Sequence, residues 1–157
     1  MSDKIRLLLA DDHPLFRDGV SRTLAAERDM EVVAEFDDAD AAVHAAADQL
    51  PDIAILDISM PGLRGMEVAE RLSQMEPPKP LRRIWPPAIL VLSAYCDSEY
   101  VYSLFAAGAK GYLLKDEAPE RIVAAIRDVD RLRAGRRCDR RAARRRQGLH
   151  PQGHQRP

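Results

Sequence analysis

Three stretches of the chain are almost continuously apolar and show no alternation with polar residues. They span residues 4–10 (KIRLLLA), 52–57 (DIAILD) and 88–94 (AILVLSA). Such runs are typical of strands that are buried on both faces of a parallel sheet. Two further runs, residues 30–36 (MEVVAEF) and 111–115 (GYLLK), fit additional strands of the same sheet. The pattern therefore predicts five strands.

Segments with apolar residues at helical spacing follow these strands. The clearest is residues 14–27, where Pro14 suits a first helical turn. Phe16, Val20 and Leu24 share one face of that segment. The other predicted helices are residues 39–49, 65–75, 98–108 and 118–132. This alternation predicts an α/β fold, with a doubly wound parallel sheet, helices on both of its faces and right-handed crossovers.

Two segments fit neither pattern. Residues 77–87 (PPKPLRRIWPP) contain five prolines, which excludes a regular helix there. Because this insertion joins a helix to the start of a strand, we expect it at the edge of the sheet where the strands begin. Residues 134–157 are rich in arginine and lack an apolar period, so they are predicted to be disordered. The predicted organisation is one domain over residues 1–133 and a tail over residues 134–157.

Composition narrows the class of protein. The chain has 157 residues, of which 46% are hydrophobic and 31% are charged, as in a soluble globular domain. No apolar run approaches the roughly 20 residues of a membrane helix, and the N-terminus lacks a signal-peptide pattern. Cys96 and Cys138 form no CxxC pair, which fits a reducing compartment. We expect a cytoplasmic protein without a membrane partner.

The net charge of −1 conceals an uneven distribution. Residues 131–157 hold ten arginines and one aspartate, which leaves 14 basic and 24 acidic residues in the rest of the chain. A basic tail can bind nucleic acid by neutralising phosphates. This tail has no aromatic residue that could stack on a base and no helix-turn-helix pattern, so a solvated extension is the favoured interpretation.

Polar side chains follow four of the predicted strands at their carboxyl ends. They are Asp11, Asp12, Asp57, Ser93 and Lys115. The carboxyl ends of parallel strands lie at one edge of a sheet, so these side chains are expected to meet there. Taken singly, an acidic pair usually lies in a solvent-exposed turn, and a serine at the end of a strand is usually only a polar residue at the edge of the sheet. The combination of these residues favours a functional site. The neighbouring histidine, His13, receives no role from this reasoning.

The residue types at this edge indicate a particular chemistry. Three clustered carboxylates repel one another, and a hard divalent cation with oxygen ligands, Mg²⁺, relieves that repulsion. A carboxylate can also act as a nucleophile towards phosphorus. Asp57 is therefore predicted to accept a phosphoryl group, while Lys115 and the metal neutralise its charge and Ser93 bonds one of its oxygens.

The motifs LLLADDHP, AILDISMPGLRG, LVLSAY and GAKGYLLKD resemble those of bacterial response-regulator receiver domains, especially the LuxR/NarL type. The resemblance covers roughly residues 4–130. It implies a flavodoxin-like (CheY-like) fold with strand order 2-1-3-4-5. It also implies that a sensor histidine kinase phosphorylates Asp57 in a two-component phosphorelay. The chain would then be a signalling module rather than an enzyme, beyond self-catalysed phosphorylation and dephosphorylation.

The same resemblance assigns roles to individual residues. Mg²⁺ would be held by Asp12, Asp57 and the backbone carbonyl of Ser59, with Asp11 acting through a water molecule. Ser59 and Tyr95 match the positions that tune dephosphorylation.

Ser93 and Tyr112 match the family's hydroxyl and aromatic switch pair. A phosphoryl group adds charge and acceptor oxygens that would draw Ser93 inward and let Tyr112 rotate. The face formed by the fourth helix, fifth strand and fifth helix would then change, and in this family that face makes homodimers or contacts an output domain.

Some features depart from the family or leave alternatives open. LuxR/NarL regulators usually continue into a helix-turn-helix domain, and no such pattern follows residue 133, so direct DNA binding is not expected. The fold could instead serve a phosphorylation-independent interaction module. A phosphatase with an aspartyl nucleophile, of the haloacid dehalogenase kind, is a third possibility. That class needs a second acid two residues after the nucleophile, where this chain has Ser59.

Overall fold

The computed structural model describes residues 4–60, 65–76, 85–94, 97–117 and 119–147, the last twelve of them as backbone only. The five strands are β1 (Ile5–Ala10), β2 (Met30–Phe36), β3 (Ile53–Asp57), β4 (Ala88–Ser93) and β5 (Ala109–Leu114). The five helices are α1 (Pro14–Ala25), α2 (Ala39–Gln49), α3 (Gly65–Gln74), α4 (Ser98–Ala106) and α5 (Pro119–Gln147). Strands and helices alternate along the chain, as the sequence predicts.

The strands form one parallel sheet in the order β2-β1-β3-β4-β5. The predicted flavodoxin-like, doubly wound fold is confirmed. Strand β3 lies at the centre, and all five of its residues are buried. Because β1 and β4 flank it, their carboxyl ends lie next to Asp57.

Alternate residues of the strands pack into two separate cores. On one face, Leu7 and Leu9 of β1 pack with residues of α1 and α5. On the other face, Leu8 of β1 packs with α2, α3 and α4. Each strand therefore has apolar partners on both sides, which explains the continuous apolar runs.

Local signals set the limits of the helices. Pro14 stands in the first turn of α1, where its missing N–H costs no hydrogen bond. Asp97 caps α4 by accepting hydrogen bonds from the backbone N–H groups of Glu99 and Tyr100, at 3.0 and 3.3 Å. The turn between α4 and β5 passes through Gly108 at a φ of 117°, which glycine adopts readily.

Helix α5 is longer than predicted. Its backbone is helical to Gln147, beyond the predicted end at residue 132, whereas the disorder predicted for the tail stays a prediction. The prediction relied on apolar periodicity, which reports burial against a core rather than helix formation. Arginine, alanine and glutamine all favour helix, and residues 136–147 contain no glycine or proline. Residues 148–157 lie outside the described residues.

Most of the proline-rich insertion, residues 77–84, also lies outside the described residues. Its last part leads into the start of β4, where the Trp85 indole N–H donates a hydrogen bond to the Met75 carbonyl at 2.6 Å. In the described part of the chain, no helix is both long and apolar enough to cross a membrane.

Candidate functional site

The carboxyl ends of four strands bring the predicted polar residues to one edge of the sheet. Parallel pairing aligns Ala10 with Leu56, so the residues that follow β1 lie beside Asp57, the last residue of β3. Ser93 ends β4, and its carbonyl accepts a hydrogen bond from the Lys115 backbone N–H at 2.8 Å. Strand pairing alone therefore delivers Lys115 to this edge.

Lys115 joins two carboxylates. Its ammonium lies 2.9 Å from Asp57 Oδ2 and 2.8 Å from Asp11 Oδ2, and both carboxylates are fully buried. The side chain of Lys115 is 13% exposed. Its ammonium also lies 4.7 Å from the centre of the Phe16 ring, a cation–π contact contributed by α1. The ammonium is thus held between β1, β3 and α1.

The environment keeps both partners charged. Burial acts to raise the pKa of Asp57. The hydrogen bonds from the Ser59 N–H, the Lys115 ammonium and the Ser59 hydroxyl have a larger, opposite effect, so the pKa of Asp57 lies below its ordinary value. Burial lowers the pKa of Lys115, but Asp11 and Asp57 outweigh this effect and raise it. Asp57 is therefore an ionised, potentially nucleophilic carboxylate at neutral pH.

Ser59 holds the other oxygen of Asp57. Its backbone N–H and its hydroxyl donate to Asp57 Oδ1 at 3.0 and 2.7 Å. Ser59 itself is exposed, so it lies at the mouth of the site. Each oxygen of Asp57 thus has at least one donor, which fixes the orientation of the carboxylate.

Asp11, Asp12, His13 and Asp57 form a cluster in which one potential ligand atom from each lies within 4.8 Å of the others. His13 Nδ1 is 3.1 Å from Asp11 Oδ1, 3.2 Å from Asp12 Oδ1 and 3.5 Å from Asp57 Oδ2. The sequence reasoning missed His13, although its place directly after the acidic pair was the available signal.

The cluster suits a divalent cation. Three carboxylates face one ammonium, so negative charge is in excess. Asp12 Oδ1 is buried and accepts no hydrogen bond from the described residues, although His13 Nδ1 lies nearby. A buried carboxylate oxygen without a donor suits a metal ion as its partner. Asp11, Asp12 and Asp57 can therefore hold Mg²⁺, whereas the part predicted for the Ser59 carbonyl stays a prediction.

Ser93 and Tyr112 lie on the same face of the sheet. Ser93 is buried and stands two residues after Val91, which belongs to the core on the side of α2, α3 and α4. Tyr112 is half-buried, pairs in register with Val91 and packs against the same core. The arrangement is compatible with the predicted switch pair, whose role stays a prediction. Tyr95 lies outside the described residues.

Comparison with known proteins identifies the family. Residues 7–127 match the response regulator receiver domain. The "Probable transcriptional regulatory protein NarL" of Mycobacterium tuberculosis is 40% identical over 126 residues, which are 80% of this chain and 55% of that protein. The transcriptional regulatory protein DegU of Brevibacillus brevis is 38% identical over 127 residues, 81% of this chain and 50% of that protein. The chain thus spans about half the length of these relatives.

Solved structures agree with this result. The signal receiver domain of NarL from Mycobacterium tuberculosis superposes with a TM-score of 0.72 at 40% identity, covering 80% of this chain and 95% of that one. A LuxR-family two-component response regulator from Aurantimonas superposes with a TM-score of 0.71 at 31% identity, covering 81% and 85%. The chain therefore belongs to the response regulator receiver domains, close to the NarL and DegU regulators of the LuxR family.

Proposed function

We propose that Asp57 accepts a phosphoryl group from a sensor histidine kinase in the presence of Mg²⁺. The observation that supports this most strongly is the buried Asp57 carboxylate, which lies 2.9 Å from the Lys115 ammonium within a cluster of three carboxylates. In the reaction, an Asp57 oxygen forms a bond to phosphorus while the bond from phosphorus to the kinase histidine nitrogen breaks. The product is an acyl phosphate on Asp57.

The chain's own residues orient and neutralise this reaction. Ser59 and Lys115 fix the Asp57 carboxylate, so the nucleophile is aligned before the donor arrives. Lys115 provides a fixed positive charge next to the oxygens on which negative charge accumulates. Mg²⁺, held by Asp12 and Asp57 with Asp11 acting through a water molecule, would supply further charge neutralisation when bound.

We infer that phosphorylation acts through Ser93 and Tyr112 on the face of α4, β5 and α5. Two of these elements carry exposed apolar side chains that fit a contact surface: Tyr102 and Phe105 on α4, and Leu132 on α5. A second copy of the chain or an output partner could bury them. The proposed module works in the cytoplasm, in keeping with the isolated cysteines of the sequence.

A phosphoryl analogue tests this proposal. Beryllofluoride with Mg²⁺ should shift the amide NMR signals of Ser93 and Tyr112 and of α4, and it should raise the dimer fraction measured by light scattering. Asp57→Asn should abolish both responses. Asp48→Asn is the matched control, because Asp48 lies on α2, away from the site.

The outcome also separates the proposal from its alternatives. If partner binding or dimerisation were the same with and without the analogue, a phosphorylation-independent interaction module would replace it. Turnover of a small phosphoester through Asp57 would favour a phosphatase. Against a phosphatase, the position two residues after Asp57 carries the Ser59 hydroxyl, which donates to Asp57 and is no general acid at neutral pH.

A further inference from the structure

His13 approaches every carboxylate of the cluster through a single atom. Its Nδ1 lies 3.1, 3.2 and 3.5 Å from oxygens of Asp11, Asp12 and Asp57. The imidazole side chain is 60% exposed, so close packing does not force it into this position. These are hydrogen-bond and ion-pair distances, and the same four residues can share one ion as a mixed nitrogen and oxygen ligand set.

The backbone holds His13 in this position. Its N–H donates to Asp11 Oδ1 at 2.8 Å, and its carbonyl accepts the Arg17 N–H at 2.9 Å as α1 begins. The Arg17 guanidinium in turn donates to the Asp11 carbonyl at 2.6 Å. Pro14, directly after His13, further limits the backbone of the turn. The imidazole is therefore attached to an ordered junction between β1 and α1.

A cation already contacts the same nitrogen. Lys115 Nζ lies 3.0 Å from His13 Nδ1. An ammonium can only donate, so in the tautomer that accepts from Lys115 the Nδ1 lone pair faces a positive charge, whereas in the other tautomer Nδ1–H donates to Asp11 Oδ1. The same lone pair is the one that a metal ion would use.

We propose that His13 is a direct protein ligand of the divalent cation, through Nδ1, in addition to the carboxylates. This inference rests on the metal site of the proposed function. Mg²⁺ prefers oxygen ligands, whereas imidazole raises affinity for Mn²⁺, Co²⁺ and above all Ni²⁺. His13 thereby sets which divalent ion the site selects, and it makes the site more favourable to nitrogen-binding ions than carboxylates alone would.

Metal titrations of the full chain test this inference. Calorimetry with Mg²⁺ and with Ni²⁺ compares the wild type, His13→Gln and the matched control His44→Gln, since His44 is an exposed histidine on α2. We expect His13→Gln to weaken Ni²⁺ binding about tenfold or more and Mg²⁺ binding by less than about threefold. His44→Gln should change neither affinity. His13→Asn, which suits the residue before a helix, is a second variant in case glutamine disturbs folding.

A spectroscopic signature identifies the ligand directly. With one equivalent of Mn²⁺, pulsed electron paramagnetic resonance should detect nitrogen coupling in the wild type and in His44→Gln, and this coupling should be lost in both His13 variants. Unchanged nitrogen coupling and an unchanged ratio of Ni²⁺ to Mg²⁺ affinity in the His13 variants would overturn the inference and leave the proposed function intact. If no divalent ion bound, or if Asp12→Asn left Mg²⁺ affinity unchanged, the metal site of the proposed function would fail together with the inference.

Discussion

Strand β3 has a buried carboxylate at each end, and the two have different partners. Asp52 precedes its first residue, accepts the Arg6 backbone N–H at 2.9 Å and lies 3.4 Å from the Arg133 guanidinium. Asp57 is its last residue and lies 2.9 Å from the Lys115 ammonium. Both ends thus combine a carboxylate, a backbone N–H and a cation.

The difference lies in the balance of charge rather than in burial. At the Asp52 end, the carboxylate lies beside the Arg133 guanidinium, and both side chains are only 10% exposed. At the Asp57 end, Asp11 and Asp12 add two further carboxylates to a single ammonium. At the first end, the contact between Asp52 and Arg133 ties α5 to the sheet. The second keeps an excess of negative charge that a cation would stabilise, and such an excess marks a functional site.

Removing the ammonium should have the largest effect on the reaction. Lys115→Met removes the fixed positive charge beside Asp57, so the rate of phosphorylation by acetyl phosphate with Mg²⁺ should fall roughly 100-fold to 1,000-fold. Intact-mass kinetics measure this rate. Lys110→Met is the matched control, because Lys110 is exposed on the same strand, β5. Equal rates for Lys115→Met and the wild type would show that the ammonium takes no part.

Breaking the pair at the opposite end should affect stability instead. Arg133→Met leaves the buried Asp52 carboxylate without its guanidinium, which should lower the free energy of unfolding by about 3 kcal/mol. Urea denaturation measures this change. Adding Asp52→Asn should recover part of the loss, and the folded variant should still be phosphorylated. If Arg133→Met were as stable as the wild type, the Asp52 end would not be a structural pair.

Neutralising one charge of the cluster should have a smaller effect of the opposite sign. Asp12→Asn relieves repulsion between carboxylates, so without metal it should raise the free energy of unfolding by about 1 kcal/mol, as often happens when functional charges are removed. Mg²⁺ should stabilise this variant less than the wild type. A loss of stability in metal-free buffer would contradict the claim that negative charge is in excess here.

A surface carboxylate provides the smallest effect. This carboxylate is Asp29, and the hydrogen bond that Arg127 donates to it lowers the pKa of Asp29 below its ordinary value. The stability from this contact is therefore complete above the ordinary pKa and is lost as the pH falls through the lowered one. Asp29→Asn should be slightly less stable than the wild type at neutral pH, and the difference should vanish in acid. A difference that grew on acidification would contradict this assignment.

The sequence could predict the features that depend on burial of the strands and on the position of the strand ends. Strands β1, β3 and β4 have apolar partners on both faces, so each of them is a continuous apolar segment that can be recognised in the sequence. Asp57, Ser93 and Lys115 could be predicted to meet because parallel strands bring their carboxyl ends together. Strand β5 begins at Ala109, two residues before its prediction, because Ala109 and Lys110 carry no strong strand signal.

Other features depend on three-dimensional geometry. The position of His13 over the carboxylates follows from the turn that joins β1 to α1, which no periodicity reports. The pair of Arg133 with Asp52 joins residues far apart in sequence and gives no local signal. The helical extension of α5 was missed because its residues favour helix but show no apolar period along the sequence.

The most direct test of the central claim is a measurement of where a phosphoryl group is attached. After incubation with acetyl phosphate and Mg²⁺, borohydride reduction followed by peptide mass mapping should detect the reduced acyl phosphate at residue 57. The signal should persist in Asp52→Asn and disappear in Asp57→Asn or when a chelator replaces Mg²⁺. Labelling of Asp11 or Asp12 instead, or labelling of Asp57 that proceeds equally well in the chelator, would contradict the account.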